Sequence, residues 1–186
     1  MTLGDSRVAL GGFQPLLSAS LLAAGMWNPV IGNYGVHGQG LQYTGAVPVV
    51  TSTIDATLAA MPITPEPPPY VLLNWGRNDD CCATADGGAE WRARYLAVLD
   101  KIHAKWPAAK IYLMYPWSRG LDAFAASLHG YIDTVIGSRA FAFAGPDEAV
   151  WLKGADNGAT MTYDGVHYSA AGDAECAAQW LTVLGY

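Results

Sequence analysis

Two polar stretches at opposite ends of the chain carry residue types that could do chemistry together. Gly4-Asp5-Ser6 lies near the start, between Leu3 and an apolar stretch that opens at Val8. A serine there stands where a strand hands over to a helix. At the carboxyl end of a parallel strand its hydroxyl faces the crevice in which open α/β sheets bind ligands. The N-terminus of the next helix adds free N–H groups and a partial positive charge beside an oxyanion. A serine hydroxyl is a weak nucleophile and needs a base. The base candidate is in Tyr163-Asp164-Gly165-Val166-His167. In one turn, Asp164 can reach the Nδ1–H of His167 while Nε2 faces elsewhere, which fixes the tautomer and stabilises the imidazolium formed when His167 takes a proton. Taken alone, Asp-x-x-His describes a surface turn with a solvated histidine more readily than a site.

Two further stretches fit between these ends. Gly76-Arg77-Asn78-Asp79 follows the apolar run 70–75 and places Asn78 at the carboxyl edge of a sheet, where its side-chain N–H could donate to a developing oxyanion. A Gly-Asn turn that ends a strand is the plainer reading of the same residues. Asn33-Tyr34-Gly35-Val36-His37-Gly38-Gln39-Gly40 has glycines dense enough for unusual backbone angles or a close approach to a ligand, and the Gly38 N–H could be a second oxyanion donor. It is not a phosphate loop, because neither Gly-Lys-Ser/Thr nor Gly-x-Gly-x-x-Gly is present.

The elements that must position these residues alternate. Continuous apolar runs at 70–75, 110–115 and 140–144 read as strands buried on both faces, the last stopped by Gly145-Pro146. Residues 30–34 are a weaker strand and 2–3 a stub. Helices are expected over 8–24, 52–61, 89–106, 121–136 and 170–184, with a stiff proline-rich connector over 62–69. Strands alternating with helices imply a parallel sheet covered on both faces, a three-layer α/β/α sandwich in a single domain. Periodicity leaves the strand order open.

Composition narrows the function classes. The chain has 186 residues, 52% of them hydrophobic and 14% charged, which suits one compact domain with a full core. A net charge of −6 argues against a nucleic-acid or anionic-membrane binder. No apolar run reaches the length of a membrane span. No signal peptide is visible, so the expectation is a cytoplasmic protein or a mature or excised form. Three cysteines make no disulfide framework and no metal spacing, and Cys81-Cys82 reads first as two reduced thiols in a loop. His37, His103, His129 and His167 are scattered, with no zinc motif, so neither metal nor cofactor is expected.

In joint order, Gly-Asp-Ser, the Gly38 loop, Gly-x-Asn-Asp and Asp-x-x-His resemble the SGNH hydrolases, also called the GDSL esterase/lipase family. The resemblance spans almost the whole chain and is loosest around Gly38. It implies a flavodoxin-like fold with a five-stranded parallel sheet, and serine ester hydrolysis without a metal. It also implies Ser6 as nucleophile, His167 as base and Asp164 as orienting acid. The oxyanion hole would be the N–H groups of Ser6 and Gly38 with the Asn78 side chain. Arg7 departs from the family, which often has Leu there, and puts a cation near the nucleophile. His37 stands where a small residue is usual. The first strand is very short, which leaves a truncated domain or an upstream start open.

Substrate contact is expected from Arg7, His37, Arg77, Trp117 and Val166, with Trp75 and Trp117 weighed between aromatic platforms for a sugar and ordinary packing. The expected partner is a small-molecule or saccharide ester, with a short acyl group, acetyl foremost, on a polar or sugar alcohol. An acyltransferase on the same fold and a non-catalytic glycan-binding module are the alternatives. The oligomeric state is open.

Overall fold

The computed structural model describes residues 1–26, 32–36, 38–43, 47–61, 67–154 and 156–186. His37, Val30, Ile31 and the start of the proline-rich connector lie outside them. In chain order the elements are β1 (Thr2–Gly4), α1 (Ser6–Leu10), α2 (Phe13–Ala23), β2 (Asn33–Gly35), α3 (Val50–Ala60) and β3 (Tyr70–Asn74). A 3-10 turn (Arg77–Asp79) follows, then α4 (Ala89–Lys105), β4 (Lys110–Tyr115), α5 (Asp122–Gly137), β5 (Ala142–Asp147), α6 (Glu148–Trp151) and α7 (Ala170–Leu184).

The five strands pair in parallel in the order β2-β1-β3-β4-β5. Each strand alternates its side chains between the two faces. Val71 and Leu73 of β3 therefore join Leu3, Ile111 and Leu113 under α3, α4 and α5, while Leu72 faces the opposite layer with α2 and α7. This is the α/β/α sandwich expected from the alternating pattern. The chain runs from β1 outward to β2, then returns past β1 to β3. The direction of winding thus reverses between β1 and β3, and the crevice at their carboxyl ends is the switch point where such sheets take ligands.

Three local outcomes differ from the sequence reading, each for a physical reason. The expected helix over 8–24 is two helices. A Cβ at Gly11 would sit 2.3 Å from the Arg7 carbonyl, and the Gly12 N–H is taken by Asp173 Oδ1 at 2.8 Å, so α2 restarts on an α7 carboxylate. β5 runs through Gly145-Pro146 rather than stopping there. It is the edge strand, its register with β4 shifts between Leu113 and Tyr115, and proline is tolerated where no outer neighbour needs an N–H. Cys81 and Cys82 are joined to each other as a disulfide instead of standing as two thiols.

The stub expected at 2–3 is a full member of the sheet. Thr2, Leu3 and Gly4 are all buried, and each pairs on both sides, with β2 and with β3. Gly4 has no room for a side chain: a Cβ would lie 2.5 Å from the Asn74 carbonyl and closer still to Val8. That contact lets α1 fold back tightly onto the strand end. α4 is fastened by Trp91, Tyr95, Val98, Leu99 and Ile102, all fully buried, each large side chain contributing ~1.5–3 kcal/mol. Among the described residues, no helix is long and apolar enough to cross a membrane.

Candidate active site

The turn from β1 into α1 presents Ser6. Asp5 caps α1, its Oδ1 accepting the Arg7 N–H at 3.0 Å, so Ser6 is the first helical residue. The first N–H groups of a helix have no acceptor within it. The Ser6 N–H therefore has no acceptor within the helix itself.

The loop between α6 and α7 brings the far end of the chain to this turn. Thr162 and Tyr168 form an antiparallel bridge, the Tyr163 N–H donates to the His167 carbonyl at 3.1 Å, and the Gly165 N–H donates to Thr162 Oγ1 at 3.1 Å. Within this closed loop Asp164 Oδ1 accepts the N–H groups of Val166 at 2.8 Å and His167 at 2.7 Å. Its Oδ2 lies 2.6 Å from His167 Nδ1, and His167 Nε2 lies 2.9 Å from Ser6 Oγ. With Nδ1–H donating to Asp164, Nε2 is the acceptor for the serine hydroxyl. Burial pushes the Asp164 carboxyl up, but the hydrogen bonds from the His167 backbone, the His167 ring and the Val166 N–H outweigh it and hold it at about 2. The carboxylate is thus ionised at neutral pH.

Asn78 and the Gly38 loop meet across the crevice. Asn78 Nδ2 donates to the Gln39 carbonyl at 2.9 Å, and an amide has a second N–H to give. Gly38 has φ 72°, the left-handed region that glycine enters without penalty. The loop is held from below by Asp79, a fully buried carboxylate. Its Oδ1 accepts the N–H groups of Gln42 and Tyr43, both at 2.8 Å, and its Oδ2 accepts the Leu41 N–H and Trp91 Nε1, both at 3.0 Å. Asp79 follows Asn78 in sequence, so one turn supplies both the polar group and the anchor of the facing loop.

Not every expected contact residue reaches the crevice. Arg7 does not. Its side chain is fully buried, paired with Glu148, with Nε donating to the Val166 carbonyl at 2.6 Å and Nη2 to Ser118 Oγ at 3.2 Å. Burial would loosen its proton, but the Glu148 carboxylate and Tyr168 keep it firmly charged. Trp117 is buried as well. Its ring nitrogen donates to Asp122 Oδ1 at 2.6 Å and its backbone N–H to Glu148 Oε2 at 2.7 Å. Trp75 is buried in the core, so neither tryptophan is a platform. Arg77 is half-buried beside Asn78. Val166 is half-buried, and its backbone joins Arg7 to Asp164. His37 lies outside the described residues.

The sequence reading missed four participants. Glu148 is a fully buried carboxylate whose partners are Arg7, the Trp117 N–H, the Tyr168 hydroxyl and Asn74 Nδ2. This cluster ties β3, β4, α1, α6 and the His167 loop together under the crevice. Nothing local in Asp147-Glu148 sets it apart from a surface acid. Tyr163 is 67% exposed, and its ring stacks on that of His167 with centroids 5.6 Å apart, so the exposed aromatic face here belongs to Tyr163. Asp79 was legible only as part of Gly-x-Asn-Asp, and Asn74 only as the end of a strand. Among the described residues, no group of three or more His, Cys, Asp and Glu side chains could hold a metal ion.

No protein-family model and no curated protein matches the sequence. Solved structures do match in shape. A carbohydrate esterase family 3 protein from Talaromyces cellulolyticus superimposes with a TM-score of 0.70 at 17% identity, covering 99% of this chain and 94% of that one. An acetyl esterase mutant solved with an acetate ion gives 0.69 at 17% identity over 99% and 94%. AlinE4, an SGNH-hydrolase family esterase, gives 0.66 at 20% identity over 99% and 93%. The chain has the fold of the SGNH hydrolases.

Proposed function

We propose that this protein is a serine carboxylic-ester hydrolase acting on short acyl esters, acetyl foremost, of polar or sugar alcohols. The observation that carries the reading is the unbroken line from Asp164 through His167 to Ser6, at 2.6 and 2.9 Å, at the switch point of the sheet. Fold alone would not carry it, since one fold hosts many functions. The similar structures described as acetyl and carbohydrate esterases favour a short acyl group and a sugar alcohol. The exposed Tyr163 face beside His167 suits stacking on such an alcohol.

In this mechanism Ser6 Oγ attacks the ester carbonyl carbon as its proton passes to His167 Nε2. The carbonyl oxygen becomes an oxyanion, met by the N–H groups of Ser6 and Gly38 and the second N–H of Asn78. Asp164 holds the imidazolium. The tetrahedral intermediate collapses, the carbon–oxygen bond to the alcohol breaks, and His167 gives its proton to the leaving oxygen. Water, deprotonated by His167, attacks the acyl-serine by the same route, and the acid departs as Ser6 regains its proton.

The test is hydrolysis of p-nitrophenyl acetate by the wild type and Ser6→Ala, with fluorophosphonate labelling of both. Turnover and label are expected in the wild type. Label is expected to be absent from Ser6→Ala, with turnover down by about 10³–10⁶. A folded wild type that neither turns over the ester nor takes the label would sink the reading.

A further inference from the structure

The residue after the nucleophile reaches the residues on either side of the base. Arg7 Nε donates to the Val166 carbonyl at 2.6 Å, and the Arg7 guanidinium lies over the Tyr168 ring, 5.3 Å from its centroid. Val166 and Tyr168 flank His167 in the chain. The far end of the guanidinium is fixed as well. Nη1 pairs with Glu148, Nη2 donates to Ser118 Oγ at 3.2 Å, and Glu148 in turn accepts the Tyr168 hydroxyl. The Arg7 backbone is held too, its N–H donating to Asp5 Oδ1 at 3.0 Å. Arg7 and Glu148 are both buried. Away from water, the charge-assisted bonds of a planar fork fix direction as well as distance.

Bonds inside the loop of Asp164 and His167 fix its shape but not its place. Asp164 takes the N–H groups of Val166 and His167 and the His167 ring, and the Tyr163 N–H donates to the His167 carbonyl. All of these would travel with the loop if it moved. From outside, the Arg119 N–H donates to the Gly165 carbonyl at 3.2 Å, but that bond starts after β4 and not on α1. The Arg7 bond starts on α1, one residue from Ser6. It therefore bears directly on the 2.9 Å contact between Ser6 Oγ and His167 Nε2, which joins residues 161 positions apart. A misplacement of about 1 Å at such a contact costs roughly 10²-fold in rate.

We propose that Arg7 is a positioning residue, which sets His167 against Ser6 by gripping Val166 and Tyr168 from the nucleophile's own helix. The proposal rests on the esterase reading for its effect on rate, and the grip itself can be measured without turnover. Two variants remove it in different ways. Arg7→Lys keeps a cation for Glu148 but places a methylene where Arg7 has Nε, so the Val166 carbonyl loses its donor. Arg7→Met with Glu148→Leu leaves no buried charge behind. Circular dichroism shows which of them fold. The first measurement puts a thiol at the nucleophile by Ser6→Cys and follows its alkylation by iodoacetamide, with the Ser6 protein as blank for Cys81, Cys82 and Cys176. An imidazole beside a thiol raises its thiolate fraction, so the rate reports whether His167 is in place. At about pH 6, Ser6→Cys is expected to react about tenfold or more faster than Ser6→Cys with His167→Ala, and to lose that advantage when either Arg7 variant is added. An advantage kept in either folded variant, or none to begin with, overturns the proposal.

The second measurement takes kcat/KM for p-nitrophenyl acetate on two backgrounds, wild type and His167→Ala. A residue that acts through His167 loses its effect once His167 is gone, because groups that act as a unit are not additive. The Arg7 variants are expected to lower kcat/KM by about 10²-fold in the wild type and by less than about twofold in His167→Ala. The same fold-change on both backgrounds would mark a general packing role and overturn the proposal. Turnover left unchanged by the Arg7 variants also overturns it and leaves the esterase reading standing. Thiol reactivity that needs both His167 and Arg7, in a protein whose wild type turns over no ester, does the reverse.

Discussion

At Asp164, burial and hydrogen bonding pull the carboxyl in opposite directions, and hydrogen bonding wins: the group is held at about 2, below the ~3.9 of an unfolded aspartate. A carboxyl lowered on folding contributes stability that is fully present above the unfolded value and is lost as pH falls through the folded one. Asp164→Asn should therefore be less stable than the wild type at pH 5, with the gap closing as pH falls from about 4 towards 2. Chemical denaturation of both proteins at pH 5 and pH 2.5 checks this, and an equal gap at both would show that the carboxylate is not held. The gap is small in any case, because the Asp164 side chain is 41% exposed. The effect on rate is larger. An amide cannot fix the imidazole tautomer as a carboxylate does, and turnover is expected to fall by about 10²–10⁴ at neutral pH. Asp164 and His167 were legible as residues because their spacing is local. Arg7 was misread because burial of a side chain depends on neighbours up to 159 positions away, such as Val166.

At the scale of elements, the turn after β3 does two jobs through adjacent residues. Asn78 donates to the Gln39 carbonyl, while Asp79 fastens the stretch around Leu41 to Tyr43 by accepting three backbone N–H groups and bridging to Trp91 on α4. Replacing Asp79 by Ala leaves these buried donors without an acceptor, each costing ~1–3 kcal/mol where water cannot enter. The loop carrying Gly38 should lose its register against Asn78. Asp79→Ala is therefore expected to lower both the midpoint of unfolding and kcat, and Trp91 fluorescence should report the change. Unchanged kcat in a folded Asp79→Ala protein would show that the Gly38 loop is positioned without this anchor. The elements themselves were largely legible, since apolar runs and caps are local. α7 begins after the Ser169 cap and ends at Gly185, with φ 83°, where the sequence placed both ends. The break between α1 and α2 was not legible, because Gly11 and Gly12 are set by a carbonyl behind them and a carboxylate on α7.

For the molecule as a whole, the Arg7–Glu148 pair under the crevice sets the relation between the two chain ends. Both side chains are fully buried, so removing one partner leaves an uncompensated charge. Glu148→Ala should cost ~3–5 kcal/mol in stability, measured by urea denaturation. Arg7→Met with Glu148→Leu should recover much of that loss, since an apolar pair of similar volume often replaces a buried ion pair without cost. Should the double variant be as unstable as Glu148→Ala alone, the hydrogen bonds to Trp117, Tyr168 and Asn74 rather than the ion pair would be what holds the layers there.

The sequence by itself determined the types and order of the polar residues that follow the strands, the alternation of strands with helices and hence the three layers. All of these are written in stretches of a few residues, where spacing, caps and apolar runs act locally. The tertiary structure alone decided which strand neighbours which, and so that Ser6 and Asn78 follow adjacent strands and that His167 reaches Ser6. It also decided that Arg7 and Trp117 turn inward while Tyr163 stands exposed against His167, and that Glu148 and Asp79 are interior anchors. Those outcomes depend on contacts between distant segments, whose burial and hydrogen bonding exist only once the sheet order has been set.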